Sequence, residues 1–277
     1  MITITPTGLN VSVNGPVVYL DNWAIIEFAK KDPVRRQRFI HALHSGVDLL
    51  FSATNAAELS GPQGWSAQAV RDFLDQIGPH WFPARLDATE VVRQELKGVM
   101  APFVDRDFFE SLISYQVRRQ ASDVRNVIPI SRDLLCLTAV LDWVGPQRDS
   151  ISKTSAEFDD LIKKKMTDVN GLRKRDPASF EQKFPAIAFD PVRPASFVYH
   201  NMLRVMAIEP NSLKKGDGMD FCHAVVSFAF STFAAIDTHW KRRLAHLPPN
   251  RMARVYSHAD LDRMITDMEV WLEHVGH

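Results

Sequence analysis

The chain has 277 residues with 33 Lys and Arg against 33 Asp and Glu, so its formal net charge is +0. Hydrophobic residues make up 45% and charged residues 24%, which is typical of a folded globular protein and excludes a wholly disordered or collagen-like chain. The two cysteines, Cys136 and Cys222, exclude a disulfide scaffold and a four-cysteine zinc site, and the balanced charge argues against coating nucleic acid by bulk charge. The first residues lack the pattern of a leader sequence, so we expect none, and no apolar stretch reaches the roughly 18–20 residues of a membrane span. We therefore expect a cytoplasmic protein with no membrane partner.

The first third of the chain alternates short apolar runs with amphipathic stretches. Residues 1–15 alternate apolar and small polar side chains, which favours an edge strand or a loose arm. Residues 17–20 and 47–51 are apolar runs typical of buried parallel strands, and residues 80–83 predict a short third strand. Helical spacing predicts helices between these strands, at 23–29, 34–45, 54–59 and 67–77.

Helical patterns dominate the middle of the chain. They predict helices at 89–100, 105–119, 132–144 and 155–166, followed at 171–194 by a loop rich in proline and charge. Beyond this loop the pattern predicts helices at 196–206, 219–230, 240–244 and 261–274, with a strand at 233–236. Strands that alternate with helices at both ends indicate an α/β fold with a parallel sheet. We therefore predict one split domain, 1–86 and 196–277, with a helical insertion at 87–195.

Four carboxylates recur at the ends of the predicted strands or at nearby helix starts. Asp21 and Asp237 each follow a strand. Glu58 lies in the helix after the second strand, and Asp220 opens an apolar helix. Ligands of an open α/β sheet bind at the carboxyl ends of its strands, so these side chains are expected to converge there. Each acid taken alone equally suits a helix cap, a turn or a solvated helix position.

A cluster of carboxylates predicts a particular kind of cofactor. Like charges a few ångströms apart repel one another, and a divalent cation between them removes that cost. Ligation by oxygen alone favours Mg²⁺ or Mn²⁺ over zinc. Such a site suits the hydrolysis of a phosphodiester, because the ion activates water and stabilises charge on the leaving oxygen.

Four short segments resemble the motifs of PIN-domain nucleases. Residues 17–22 (VVYLDN) look like the first motif, a strand that ends in an Asp, and residues 51–59 (FSATNAAEL) look like the second, which carries a Glu followed by Leu. Residues 218–224 (GMDFCHA) and 234–240 (AAIDTHW) are similar to the third and fourth motifs. The order and rough spacing of the four segments also agree with that family.

The resemblance implies a PIN-like three-layer fold with a central parallel sheet, and a metal-dependent endoribonuclease that cleaves RNA, expected to be single-stranded. It assigns both catalysis and the binding of Mg²⁺ or Mn²⁺ to four acids: Asp21, Glu58, Asp220 and Asp237. Asn22 and Thr238 would support these acids, since family members often use a Thr or Ser near the last one. Such a chain can be the toxin of a toxin–antitoxin pair.

Two further residues near the third motif have alternative roles. Asp217 is either an auxiliary metal ligand or an ordinary loop carboxylate. His223 lies one helical turn beyond Asp220, where a structural hydrogen bond is favoured over a catalytic role. Cys222 beside it is expected to be a small buried residue.

Basic residues flank two of the acids in sequence, which predicts contacts to nucleic acid. These residues are Lys214, Lys215, Lys241, Arg242 and Arg243. Contacts to the phosphate backbone would position a strand without reading its bases, so no base specificity is expected. A second basic stretch, 163–175, is either a solvated charge run or a phosphate-contacting loop of the insertion.

Two alternatives from other functional classes stay open. A phosphatase of the haloacid-dehalogenase type would need a second Asp two residues after Asp21, where the chain has Trp23. A degenerate PIN-like module could instead bind nucleic acid or protein without cleaving it, and the alanines at 234–235 before Asp237 favour this reading. An antitoxin or another protein partner, and a homodimer, also stay open.

Overall fold

The computed structural model describes residues 2–5, 8–11, 15–61, 64–121, 136–209, 214, 216–250 and 252–275. Over these ranges the chain is an α/β protein. Its strands are β1 Ile2–Thr5, β2 Gly8–Val11, β3 Val17–Leu20, β4 Asp48–Phe51, β5 Trp81–Pro83, β6 Phe233–Ala235 and β7 Arg254–Tyr256. Its α-helices are α1 Asn22–Lys30, α2 Pro33–His44, α3 Ala53–Leu59, α4 Trp65–Ile77, α5 Ala88–Leu96, α6 Arg106–Ala121, α7 Leu137–Val144, α8 Arg148–Arg175, α9 Pro177–Lys183, α10 Pro194–Ile208, α11 Asp217–Phe230, α12 Thr238–Leu244 and α13 Leu261–Val275.

A five-stranded sheet forms the centre of the fold, and all its strands are parallel, as the sequence predicts. The strand order is β5-β4-β3-β6-β7. Strands β4 and β5 are therefore added on one side of β3, and β6 and β7 are then added on its other side. All residues of β3, β5 and β6 are buried, because a parallel strand is covered on both faces. The first residues form a separate antiparallel pair, β1 with β2.

Helices cover both faces of the sheet, which gives three layers. Val18 and Leu20 of β3 point into one hydrophobic cluster, which contains residues of α1, α2, α4 and α13. Val17 and Tyr19 of the same strand point into the other, with residues of α10, α11 and α12. This alternation follows from the two-residue period of a β-strand.

Helices of the predicted insertion contribute to both hydrophobic clusters. Phe109 of α6 and Leu137 of α7 belong to the first cluster, and Ile162 and Met166 of α8 belong to the second. The segment 87–195 therefore packs directly on the layers that flank the sheet, and its boundaries as a unit stay a prediction. Among the helices of the described ranges, none has both the length and the low polarity required to cross a bilayer.

The predicted loop at 171–194 is the main error of the sequence analysis. Helix α8 continues to Arg175, and the loop also contains α9. The buried positions Ile162, Met166 and Val169 recur at helical spacing along α8, so packing overrides the high charge of this stretch. Asp176 then caps α9, accepting a hydrogen bond from Ser179 N at 3.0 Å. The basic stretch 163–175 is therefore helical, so the alternative of a basic loop there is wrong, and a solvated charge run on a helix stays open.

Smaller differences concern element boundaries. Helix α11 begins at Asp217, so Asp220 lies within its first turn and does not open it. Strand β7 has three residues and was not predicted from the sequence. Residues 132–135, which the sequence assigns to a helix, lie outside the described ranges.

Candidate metal centre

The carboxyl ends of β3 and β6 lie side by side at the point where the strand order changes direction. Asp21 directly follows β3, and its backbone N–H donates to the carbonyl of Ala235 at the end of β6 (3.0 Å). Asp237 follows two residues after Ala235. This position is where open α/β sheets bind their ligands, so the topology places two of the predicted acids at a favoured site.

A chain of buried polar side chains connects Glu58 to this edge of the sheet. Ser52 caps α3 and donates through Oγ to Asn55 Oδ1 at 2.7 Å. Asn55 Nδ2 donates to Asn22 Oδ1 at 2.9 Å, and Asn22 Nδ2 donates in turn to Glu58 Oε2. Because Asn55 is fully buried, this network fixes Asn22 and thereby orients the exposed carboxylate of Glu58.

Helices α11 and α12 supply a second group of possible ligands. Asp217, Asp220 and His239 each offer one ligand atom, and these atoms all lie within 4.8 Å of one another. Asp217 is buried, Asp220 is half-buried, and His239 at the start of α12 is exposed. This group could hold a metal ion.

Burial and mutual repulsion perturb two of the carboxylates. Burial, with added repulsion from Asp237, Asp220 and Glu58, raises the pKa of Asp21 from its ordinary 3.8 to about 7. Burial, with repulsion from Asp237, Asp217 and Glu58, likewise raises the pKa of Asp220 to about 6. Repulsion from the neighbouring acids therefore reaches both Asp21 and Asp220.

No basic side chain neutralises these acids among the described residues. Within those ranges, the ion pairs of the structure involve none of five carboxylates: Asp21, Glu58, Asp217, Asp220 and Asp237. Carboxylate oxygens that lack a counter-charge, together with one imidazole, form a donor set that fits a divalent cation.

His239 is the ligand candidate that the sequence analysis missed. Burial and the neighbouring positive charge of Arg243 lower the pKa of its imidazole below the usual range. The ring is therefore neutral at neutral pH, which leaves a nitrogen lone pair free to bind a metal. Its position two residues after Asp237, in the first turn of α12, is the sequence feature that could have indicated a ligand.

The residues predicted to support the acids lie around them in different ways. Asn22 belongs to the polar network, whereas Thr238 is exposed at the start of α12. His223 is buried, and its Nδ1 lies 3.1 Å from the hydroxyl of Tyr19 on β3. Burial lowers the pKa of His223 to about 4, so the ring is neutral, and its tautomer sets which of the two groups donates in this hydrogen bond. This contact gives His223 a structural role.

Two of the five predicted phosphate-contacting side chains already have partners. Lys241 pairs with Asp260 at 2.7 Å. Arg243 pairs with Glu209 at 2.8 Å and stacks on the Trp240 ring at 4.6 Å. Arg242 and Lys214 are exposed, and Lys215 lies outside the described residues. Arg242 and Lys214 are therefore the exposed described members of this predicted set.

Comparisons with known proteins add no family assignment. A scan against protein-family models, a search of curated proteins and a search of solved structures each find no match to this chain. The resemblance to PIN-domain nucleases therefore stays a prediction.

Proposed function

We propose that this chain is a PIN-like, metal-dependent endoribonuclease that hydrolyses phosphodiester bonds in single-stranded RNA. The observation that supports the proposal most strongly is the repulsion that Glu58, Asp220 and Asp237 exert on Asp21 at the switch point of the sheet, together with the group of Asp217, Asp220 and His239, whose ligand atoms lie within 4.8 Å of one another. With a purely structural role, only protonation would relieve the mutual repulsion of these carboxylates, whereas a bound cation relieves it while they are ionised.

The residues of this site would hold Mg²⁺ or Mn²⁺ and position the substrate. When bound, the ion supplies Lewis-acid activation of water and stabilises charge on a phosphate oxygen. The raised pKa values of Asp21 and Asp220 mean that both carboxyl groups retain protons near pH 6 in the metal-free protein. They must release these protons to act as ligands, so metal affinity should rise as the pH increases from 6 to 8.

The surroundings of the site favour a weakly held, sequence-tolerant substrate. Arg242 and Lys214 can meet backbone phosphates, whereas Lys241 and Arg243 are occupied by Asp260 and Glu209. With few free basic side chains, binding should be modest and should weaken as salt increases. Contacts of this kind position a strand without reading its bases.

The test is Mn²⁺-dependent cleavage of an unstructured RNA by the wild type and by Asp21→Asn. We expect the variant to lose cleavage, while Asp160→Asn, an exposed change on α8, retains it. Full activity of Asp21→Asn would refute the assignment. A phosphorylated Asp21 would favour the phosphatase alternative, and failure of the wild type to bind millimolar Mn²⁺ would favour the degenerate binding module.

A further inference from the structure

A carboxylate of the middle segment, the predicted insertion 87–195, contacts the helix that carries two of the site acids. Asp159 of α8 is 5% exposed. Its Oδ1 accepts hydrogen bonds from Gly218 N at 2.7 Å and Met219 N at 3.2 Å, and its Oδ2 accepts from Gly216 N at 3.2 Å. Lys163, one turn further along α8, pairs with the same carboxylate at 3.2 Å.

These contacts replace a cap that α11 cannot provide for itself. The first N–H groups of a helix have no partner within it, and a side chain at the N-cap normally accepts from them. The N-cap of α11 is Gly216 with a φ of 93°, which has no side chain to donate or accept. Asp159, 57 residues earlier in the chain than Gly216, satisfies these donors.

The backbones of α8 and α11 approach each other closely at this contact. A Cβ atom on Gly218 would lie 2.6 Å from the carbonyl oxygen of Asp159 and 2.7 Å from its Oδ1. Only glycine at this position allows the approach, because a Cβ essentially never lies that close to another heavy atom. The first turn of α11 is therefore fixed by direct contact with α8.

The charge of Asp159 is retained at this buried position. Burial opposes its ionisation, but hydrogen bonds from Gly216, Lys163, Gly218 and Met219 hold the pKa of the carboxyl below its usual range. A full negative charge therefore faces the N-terminus of α11, where the helix dipole favours it. The same turn carries Asp217 and Asp220, so Asp159 of α8 anchors the turn of α11 that holds both ligand candidates.

We propose that Asp159 is a positioning residue of the metal centre, which holds the first turn of α11 so that Asp217 and Asp220 face His239. The inference rests on the proposed function, because it assigns a role in the same site. It makes the middle segment part of the metal centre, since α8 belongs to that segment. Groups that orient metal ligands commonly change metal affinity by 10–100-fold when they are removed.

A second buried carboxylate provides a matched control. Glu95 of α5 is 6% exposed and accepts from Ala195 N at 2.9 Å and Ser196 N at 2.7 Å, at the start of α10. It therefore caps a different helix from outside, by the same chemistry, but α10 carries none of the site acids. A purely structural role for Asp159 predicts that the two residues behave alike.

The experiment is calorimetric titration of Mn²⁺ into the full chain, at a temperature where every variant is folded. We expect Asp159→Ala to weaken Mn²⁺ binding by about 10–100-fold, and Glu95→Ala to leave it within about twofold despite a similar loss of melting temperature. Asp159→Asn keeps an acceptor oxygen but not the charge, and should give an intermediate loss; it also replaces the alanine variant if that fails to fold. Gly218→Ala places a Cβ against Asp159 and so pushes α8 away from α11. This variant should also weaken Mn²⁺ binding.

The possible failures can be told apart. If the wild type binds Mn²⁺ and cleaves RNA while Asp159→Ala and Asp159→Asn bind Mn²⁺ equally well, the positioning role is refuted and the nuclease proposal survives. Equal weakening by the Asp159 and Glu95 variants also refutes it, because a general loss of stability then explains both. If the wild type binds no Mn²⁺, the proposed function fails and this inference fails with it.

Discussion

Replacing Asp21 by Asn should stabilise the metal-free protein, although it removes a residue of the proposed site. Burial and neighbouring carboxylates raise the pKa of Asp21 from 3.8 to about 7. The unfolded chain ionises this group near its ordinary pKa, whereas the folded protein keeps the proton until about pH 7. The free energy of unfolding therefore falls as the pH rises through this window and is constant above it.

The size of the effect follows from the displacement of the pKa. Each unit by which the folded pKa exceeds the unfolded pKa corresponds to about 1.4 kcal/mol. Compared with an uncharged side chain at this position, Asp21 therefore lowers the free energy of unfolding of the metal-free protein by about 4 kcal/mol at pH 8 and by about 1.6 kcal/mol at pH 5. Asn at this position keeps the oxygen that accepts from Asn22 N at 2.8 Å and carries no charge. At roughly 2 °C per kcal/mol for a chain of this size, Asp21→Asn should melt about 8 °C above the wild type at pH 8.

The assay is thermal and urea unfolding in EDTA between pH 5 and pH 8, repeated with saturating Mn²⁺. In EDTA, the advantage of Asp21→Asn should grow with pH, while Asp160→Asn should follow the wild type. Mn²⁺ at 100 times its dissociation constant should stabilise the wild type by about 2.7 kcal/mol and Asp21→Asn by far less. If Asp21→Asn is no more stable than the wild type at pH 8 in EDTA, the electrostatic argument for the site is wrong.

Three other predictions concern the surroundings of the site and the middle segment. Asn55→Ala breaks the buried network and should destabilise the fold by about 2 kcal/mol while weakening Mn²⁺ binding, because Glu58 loses its orientation; unchanged urea unfolding would contradict this. Phe109→Ala removes a fully buried ring that packs edge-on against Trp81, 6.2 Å between centroids, and should cost about 3–5 kcal/mol. A loss below about 1 kcal/mol would mean that α6 does not stabilise the sheet. His239→Ala should weaken Mn²⁺ more than Mg²⁺, since imidazole prefers the softer ion; calorimetry with both ions checks the ratio, and unchanged affinity for both ions would exclude His239 as a ligand.

The sequence predicts the parallel sheet well because its strands are short apolar runs that stay buried on both faces. Residues 17–20 and 233–236 could be recognised from hydropathy alone, and they correspond to β3 and β6. Strand β7 could not be recognised, because it has three residues with an exposed Arg254 at its start. Its pairing with β6 depends on the finished sheet and leaves no local pattern.

Part of the candidate site could be predicted because an acid after a strand has a position fixed by topology. The strand order alone places Asp21 and Asp237 at the same edge of the sheet, because β3 and β6 are neighbouring parallel strands. Asn55 left a weaker signal, its spacing of three residues from the capping Ser52. Asp159 left none, because a single Asp in a highly charged helix gives no indication that it reaches the N-terminus of a helix that begins 58 residues later.

The distribution of charge gives the strongest reason to expect a cation from solution. Ligand atoms of Asp217 and Asp220 lie within 4.8 Å of each other, so two unit charges at that separation repel by at least about 3.5 kcal/mol at an effective dielectric constant of about 20. The nearest basic helix does not relieve this repulsion, because Lys241 and Arg243 of α12 pair with other carboxylates. Because the chain has as many basic as acidic residues, a basic side chain could have been placed beside these acids. None of the described basic residues pairs with them, so protons relieve the repulsion at low pH, and the group of Asp217, Asp220 and His239 could hold a metal ion that relieves it once the carboxylates are ionised.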